Sequence, residues 1–287
     1  MMLGIKYSII IPMYNSEKTI RRCLDSIFVQ KMENIEVIII NDGSTDRSLS
    51  LCSDYLKYNN LKIINQKNTG PSTARNIGLK KAKGKYVIFV DADDYLETDF
   101  FSVINEQLEE NIDILKFNIK YHGNRIDENL FNTADFSDCN GEQALKMFMD
   151  QKKVFATPWM YIYKKSLFSE NNLFFSENHI HEDFGLIPCL IIKAKYIKGI
   201  NYTGYNYVYN VGSLSTDQSY NAIRTRAYDM LVQYDFLSSF SKMNIKNKKI
   251  KIQFQNYIRN SLVKKLSKLD DKDLVKFSDE LKKRGVI

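Results

Sequence analysis

Four short β-branched or aromatic runs, Tyr7 to Ile11, Glu36 to Ile40, Leu61 to Ile64 and Tyr86 to Val90, alternate with three helical patterns, Glu17 to Val29, Ser48 to Tyr58 and Ser72 to Ala82. Strands separated by single helices predict a parallel sheet with right-handed crossovers. The continuously apolar strands predict burial on both faces. Lys83-Gly84-Lys85 supplies the stop before the fourth strand. Ligands of such open sheets bind beyond the carboxyl ends of the strands, so chemistry is expected directly after each run. Those segments are polar here: Met13-Tyr14-Asn15, then Asn41 to Asp46, then Asp91-Ala92-Asp93-Asp94. The fold class this implies is α/β, a Rossmann-like, mostly parallel sheet flanked by helices.

The remaining composition narrows the class. At 287 residues, 44% hydrophobic with 12 Gly and 4 Pro, the chain is neither collagen-like nor disordered, and its length fits one large domain or two small ones. No apolar run approaches the roughly 18 residues needed to span a bilayer. No long apolar stretch precedes Pro12, so a secretory signal is not expected and the expected location is the cytoplasm. Cys23, Cys52, Cys139 and Cys189 are scattered without a CxxC pair, which fits core thiols in a reducing compartment.

The net charge of +7 is carried by the tail: nine Lys or Arg and no acid lie between Lys242 and Lys268. Ile250, Phe254, Ile258, Leu262 and Leu266 interleave with them at four-residue spacing, which predicts a basic amphipathic helix. Packing of the apolar stripe on the main domain is the first reading. Peripheral contact with an anionic membrane at its inner face, or a homo-oligomer formed through these helices, comes second. Nucleic acid ranks last, because no binding module is present and the rest of the chain is near neutral. Three parts follow: 1–99, 100–215 as the substrate half of the same domain, and 216–287 as a helical, basic C-terminal region. Within the second part the patterns predict a strand around Ile112 to Tyr121, a helix near Glu142 to Met149, and short pieces around Trp159 to Tyr163 and Tyr202 to Tyr209.

Several clusters carry chemistry. Asp91, Asp93 and Asp94 follow a buried strand and repel one another unless a cation sits among them. Hard oxygen donors without Cys or His favour Mg²⁺ or Mn²⁺ over zinc; the plainer reading is an acidic turn capping a helix. Asp42-Gly43-Ser44 alone reads as a tight turn and cap, and Asp42 becomes a candidate for a base edge or ribose only beside Asp93. Gly70 to Asn76 opens a helix in which Arg75 either lies on the surface or faces the crevice and neutralises a diphosphate. Neither GxGxxG nor GxxxxGK[ST] occurs, so a dehydrogenase or P-loop enzyme is not supported. Glu182 and Asp183 precede an apolar helix pattern from Phe184 to Ile192, and are either an acidic helix start or a source of a general base. His179 and His181 are packed or solvent-facing side chains before they are metal ligands.

Four segments, Tyr7 to Asn15, Asn41 to Asp46, Asn68 to Asn76 and Val90 to Leu96, resemble in order and spacing the N-terminal half of inverting family 2 glycosyltransferases with the GT-A fold. The resemblance continues through Pro158-Trp159 and Glu182-Asp183 to Gly212-Ser213-Leu214-Ser215. It implies a nucleotide-diphospho-sugar donor, most often a UDP-sugar, with 1–99 as the nucleotide-sugar-binding half and 100–215 as the acceptor-binding half of the GT-A domain. By that resemblance Pro12, Tyr14, Asn15 and Asp42 line the base and ribose, Arg75 lies near the nucleotide, and Asp91 approaches the ribose. Asp93, with Asp91 beside it, would hold Mn²⁺ or Mg²⁺ against the diphosphate, and Asp94 would face the donor sugar. Asp183 matches the base and Glu182 its acidic neighbour. The acceptor would be a glycan, lipid-linked glycan or glycoprotein of the bacterial surface. Family members often carry Arg or His before the Ser-x-Ser; Tyr202 to Ser215 has neither, which leaves Lys198, Arg224, His179 or His181 as substitutes. A non-catalytic sugar-nucleotide-binding scaffold with a membrane- or partner-binding tail is the alternative, and predicts binding without turnover. A sugar-phosphate nucleotidyltransferase would show a glycine-rich basic signature where Met13 to Asn15 stands.

Overall fold

The computed structural model describes residues 4–30, 33–124, 126–210 and 219–284. The alternating first part forms β1 (Tyr7–Met13), α1 (Ile20–Phe28), β2 (Ile35–Asp42), α2 (Ser48–Cys52), β3 (Leu61–Gln66), α3 (Pro71–Lys81) and β4 (Tyr86–Phe89). Then follow β5 (Tyr95–Leu96), α4 (Phe100–Gln107), β6 (Ile114–His122), β7 (Phe136–Cys139), α5 (Gly141–Asp150), β8 (Tyr161–Lys164), α6 (Ser166–Glu170), α7 (Glu182–Lys193) and β9 (Ile197–Val208). Three helices close the chain: α8 (Tyr220–Asn244), α9 (Lys248–Leu266) and α10 (Asp271–Lys283).

Among the described residues one nine-stranded sheet runs β3-β2-β1-β4-β8-β6-β9-β5, with β7 also on β9. The β3-β2-β1-β4 pairings are parallel, as the strand–helix alternation predicts. Ile9, Ile10, Ile11, Val37, Ile38, Ile39, Val87 and Ile88 are fully buried, which matches strands without polar alternation. Gly78 lets α3 lie directly on β1, since a Cβ there would sit 2.3 Å from Ile10 Cγ2. Beyond β4 the sheet becomes mixed: β8 runs antiparallel to both β4 and β6, while β9 is parallel to β6. Strands of the first two parts therefore share one sheet.

Some boundaries differ from the sequence reading. The pattern at Ser48 to Tyr58 ends as α-helix at Cys52 and tightens into a 3₁₀ turn over Ser53–Tyr55. Ser50 and Ser53 hydroxyls donate to the carbonyls of Arg47 and Ser50, competing with the helical ladder. The piece at Tyr202 to Tyr209 is only the end of the twelve-residue β9. In the tail the α9 stripe is buried, Ile250 at 6% exposure and Phe254, Ile258 and Leu262 at 0%, against α5 and α8. The apolar face is thus covered by α5 of the second part and by α8 of the C-terminal region itself, and Lys248, Lys249, Lys264 and Lys268 face solvent. Among the described residues no helix is long and apolar enough to cross a membrane.

Candidate active site

The chain leaves β4 into a turn closed by the Asp94 amide donating to the Asp91 carbonyl at 3.0 Å. Its three carboxylates have three different environments. Asp94 is fully buried, its Oδ2 accepting from the Tyr205 hydroxyl at 2.7 Å and its Oδ1 from the Val208 amide at 2.8 Å. The same Tyr205 oxygen accepts from the Asp91 amide at 3.1 Å, and Trp159 stacks on the Tyr205 ring at 5.1 Å and 13°. Burial and the charges of Asp93 and Asp91 push the Asp94 carboxyl well above the carboxylate range. Asp94 therefore does not face the crevice as expected for a donor-sugar contact; it pins the turn to β9. Asp93 accepts from Asn210 Nδ2 at 2.8 Å, and Arg22 donates to its backbone carbonyl at 2.6 Å. Burial, then the neighbouring Asp91 charge, raises the Asp93 carboxyl. Asp91 turns toward α3.

On the β1–β2 side, Pro12 lies half-buried at the end of β1 and Tyr14 is 49% exposed. Asn15 adopts φ 47°, a left-handed conformation tolerated by Asn. Its Oδ1 accepts from the Thr45 amide at 2.8 Å, and its own amide donates to Ser44 Oγ at 3.1 Å, tying the two loops together. Asp42 is buried: Oδ1 accepts from the Thr69 amide and Gln66 Nε2, and Oδ2 from the Gly70 amide at 2.8 Å. These contacts hold the loop that enters α3, where Gly70 takes φ 91°.

Arg75 joins the two acidic clusters. From the first turns of α3 its guanidinium donates to Asp91 Oδ1 at 2.8 Å and to Glu182 Oε1 at 2.9 Å, with only 8% of its side chain exposed. It also lies over the Phe175 ring at 5.5 Å. Burial opposes its charge, but the Asp91 and Glu182 carboxylates hold the guanidinium protonated more firmly than usual. Asp183, next along α7, is half-buried, and its Oδ1 accepts from the Phe184 amide at 2.7 Å. Burial, then the adjacent Glu182 charge, pushes its carboxyl up to about 7. A carboxylate poised there is suited to accept a proton near neutrality.

The substitutes considered for a missing cation lie elsewhere. Lys198 donates to the Gln107 carbonyl and neighbours Glu109, at the start of β9, whereas the Asp94 contact is at its end. Arg224 pairs with Asp273 of α10 at 3.2 Å. His179 Nδ1 shares a 2.9 Å hydrogen bond with Asp229. His181 is lowered to about 3 by burial, then by Lys265 and Arg226, and its Nε2 is buried without a hydrogen-bond partner among the described residues. The segment Gly212 to Ser215 lies outside the described residues. Among the described residues no group of three His, Cys, Asp or Glu converges as a ready metal site. The reason is the division above: Asp94 is turned inward and one Asp91 oxygen is on Arg75. What remains is a hard-oxygen donor at Asp93 beside Asp91, with a mutual repulsion that a divalent cation would relieve. That donor set fits a cation completed by ligand oxygens rather than an all-protein cage.

Arg22, Asn210, Tyr205 and Asp229 escaped the sequence reading. Asn210 and Asp93 are 117 positions apart, and only the register of β9 brings them together.

A model of glycosyl transferase family 2 matches residues 8–171. The chain is 34% identical over 215 residues to the uncharacterized glycosyltransferase EpsJ of Bacillus subtilis, a match that covers 72% of this chain but only 62% of EpsJ. The crystal structure of S. aureus TarS 1–349 in complex with UDP-GlcNAc superposes with a TM-score of 0.64 at 24% identity, over 93% of this chain and 82% of that one. A mannosyltransferase from Pyrobaculum calidifontis, PcManGT, in complex with GDP-Man and Mn²⁺, gives 0.55 at 14% identity, over 91% and 74%. With a mixed sheet that keeps its carboxylates at the strand ends, and a family model that matches more than half of its length, the chain belongs to glycosyl transferase family 2 and has the GT-A fold.

Proposed function

We propose that the protein transfers a sugar from a nucleotide-diphospho-sugar, a UDP-sugar, to a hydroxyl of a glycan, lipid-linked glycan or glycoprotein acceptor, with inversion at the anomeric carbon. The observation that carries this reading is the Arg75 bridge: it ties the strand-end acids to α7 and so brings Asp183 to the same crevice. The ligands named for the solved neighbours, UDP-GlcNAc for TarS and GDP-Man with Mn²⁺ for PcManGT, support the donor class.

Exposed Tyr14 offers a ring face to the nucleobase, while Asn15 and Asp42 hold the loops that shape the base and ribose side. Asp91, held on one oxygen by Arg75, would approach the ribose, and Arg75 acts by placing carboxylates. Asp93 and Asp91 would hold the Mn²⁺ or Mg²⁺; bound there, such an ion supplies Lewis-acid neutralisation of a departing diphosphate. Asp183 takes the acceptor hydroxyl proton as the new bond to the anomeric carbon forms. The bond from that carbon to the phosphate oxygen breaks, and its electron pair leaves with the nucleoside diphosphate. Glu182 is paired with Arg75, and its charge makes the neighbouring Asp183 the more basic of the two. Asp94 holds the turn that aims Asp93.

Incubation with a panel of nucleotide sugars and glycan acceptors tests this: nucleoside diphosphate should be released with the acceptor, and the product should carry the opposite anomeric configuration. Donor binding without any turnover across the panel would favour a scaffold. Calorimetry adds a second test at Asp93→Ala. UDP affinity in the wild type should rise at least about tenfold when Mn²⁺ replaces EDTA, as expected for one strong charge contact, and the variant should lose that gain. An Mn²⁺ response unchanged in Asp93→Ala would remove Asp93 from the account.

A further inference from the structure

His181 immediately precedes α7 with φ 72°, a left-handed conformation that costs a residue other than glycine of order 1 kcal/mol and persists only where its surroundings impose it. What imposes it comes from α8. Asp229 is 9% exposed, and its Oδ2 accepts from the Ile180 amide at 2.8 Å while its Oδ1 shares the 2.9 Å bond with His179 Nδ1. One carboxylate thus grips two consecutive residues of the segment that turns into Glu182 and Asp183. One helical turn further along α8, Gln233 meets α7 at Gly185: a Cβ on that glycine would lie 1.8 Å from Gln233 Oε1. Asp229 and Gln233 share a face of α8 by their four-residue spacing, so α8 meets the chain on both sides of the acidic pair, at 179–180 before α7 and at Gly185 within it. The family match ends at residue 171, before any of these contacts.

We infer that Asp229 is the positioning residue for Asp183: α8 clamps the His179–Ile180 segment so that α7 begins with Asp183 held against the Arg75 network. This rests on the proposed role of Asp183. Clamping restricts the base to one approach to the acceptor hydroxyl, and a displacement of about 1 Å at a reacting group costs on the order of 100-fold in rate.

The test compares Asp229→Ala with Asp229→Asn, which still offers an acceptor oxygen to the Ile180 amide. Three readouts are needed: amide exchange over 178–185, the titration of the Asp183 carboxyl followed by carbon-13 NMR, and thermal unfolding. Asp229→Ala should speed exchange of the Ile180 and Phe184 amides at least about tenfold and move the Asp183 titration down toward the ordinary carboxylate range as water reaches it. Asp229→Asn should restore most of both. With the donor found in the panel, kcat should fall about 10- to 100-fold in Asp229→Ala, with donor affinity within twofold. Unchanged exchange and titration in a folded Asp229→Ala would overturn the inference. So would an Asn variant as impaired as the Ala one, or losses spread evenly over all α-helices. If instead Asp183 titrates near 4 in the wild type, the base assignment itself fails, and the exchange data still decide the clamp on their own.

Discussion

Asp183→Asn should abolish sugar transfer while leaving UDP affinity within about twofold, and should make the protein more stable at pH 8. The rate effect follows from removing the only group proposed to accept the hydroxyl proton, a contribution of about 10²- to 10⁴-fold. The stability effect follows from the site. Asp183 is faced by Glu182 on its own helix, Arg75 from α3, Asp91 beyond β4, Tyr163 from β8, and Tyr257 and Lys265 from α9. Burial and the acidic neighbours outweigh the cations, so the folded protein favours the neutral acid. A carboxyl raised from about 4 to about 7 on folding is penalised progressively over that interval, and fully above it. Asn escapes the penalty. The gain should be of order 2 kcal/mol at pH 8, shrink between pH 7 and 4, and vanish below. The same titration gives kcat/KM an acid limb near pH 7, with activity lost as the base protonates. Denaturant unfolding across pH, together with the pH–rate profile, checks all three. An Asn variant that is active, or that is less stable at pH 8, would contradict the assignment.

Arg75→Met should be the most destabilising single change in the site. Removing the guanidinium leaves the part-buried Asp91 and the buried Glu182 without their shared counter-charge, and breaking one side of such a network costs about 3–5 kcal/mol. Part of that cost is uncompensated charge. Adding Glu182→Gln to Arg75→Met should therefore recover about 1–2 kcal/mol, a coupling that independent sites do not show. Arg75→Lys should fall between, because an ammonium cannot make two divergent contacts with the same fork. Denaturant midpoints at pH 7 measure the series. Strict additivity between the two substitutions would show that Arg75 does not bridge the acids.

The parallel half of the sheet was legible because Ile9, Ile38 and Ile88 sit in apolar runs of local pattern, and local pattern is what a sequence displays. The positions of the acids were legible for the same reason: Asp93 follows β4 and Asp183 lies in the first turn of α7, both at element boundaries. What the sequence concealed is pairing over long separations. Asp94 looks like a third member of a cation site until Tyr205 and Val208, more than 100 residues on, are seen to occupy it. Arg75 reads in the sequence either as a surface residue or as a crevice-facing partner of a diphosphate; its partners are protein carboxylates. The antiparallel placement of β8 and the edge strand β7 depends on which neighbours a short strand finds, which four residues do not specify. The amphipathic stripe of α9 shows that the C-terminal region packs on the rest of the chain, but not which residues the helices reach. The Asp229 clamp and the Tyr257 ring beside Phe184, at 6.1 Å, tie them to the acidic pair.

Crystals of the protein grown with UDP and Mn²⁺, with anomalous scattering recorded at the manganese edge, probe the organisation of the crevice directly. The account predicts one peak on the Asp93 carboxylate bridged to the diphosphate, the uracil against Tyr14, and Asp183 opposite the phosphate that would carry the sugar. UDP bound away from these strand ends, with no manganese at Asp93, would contradict it.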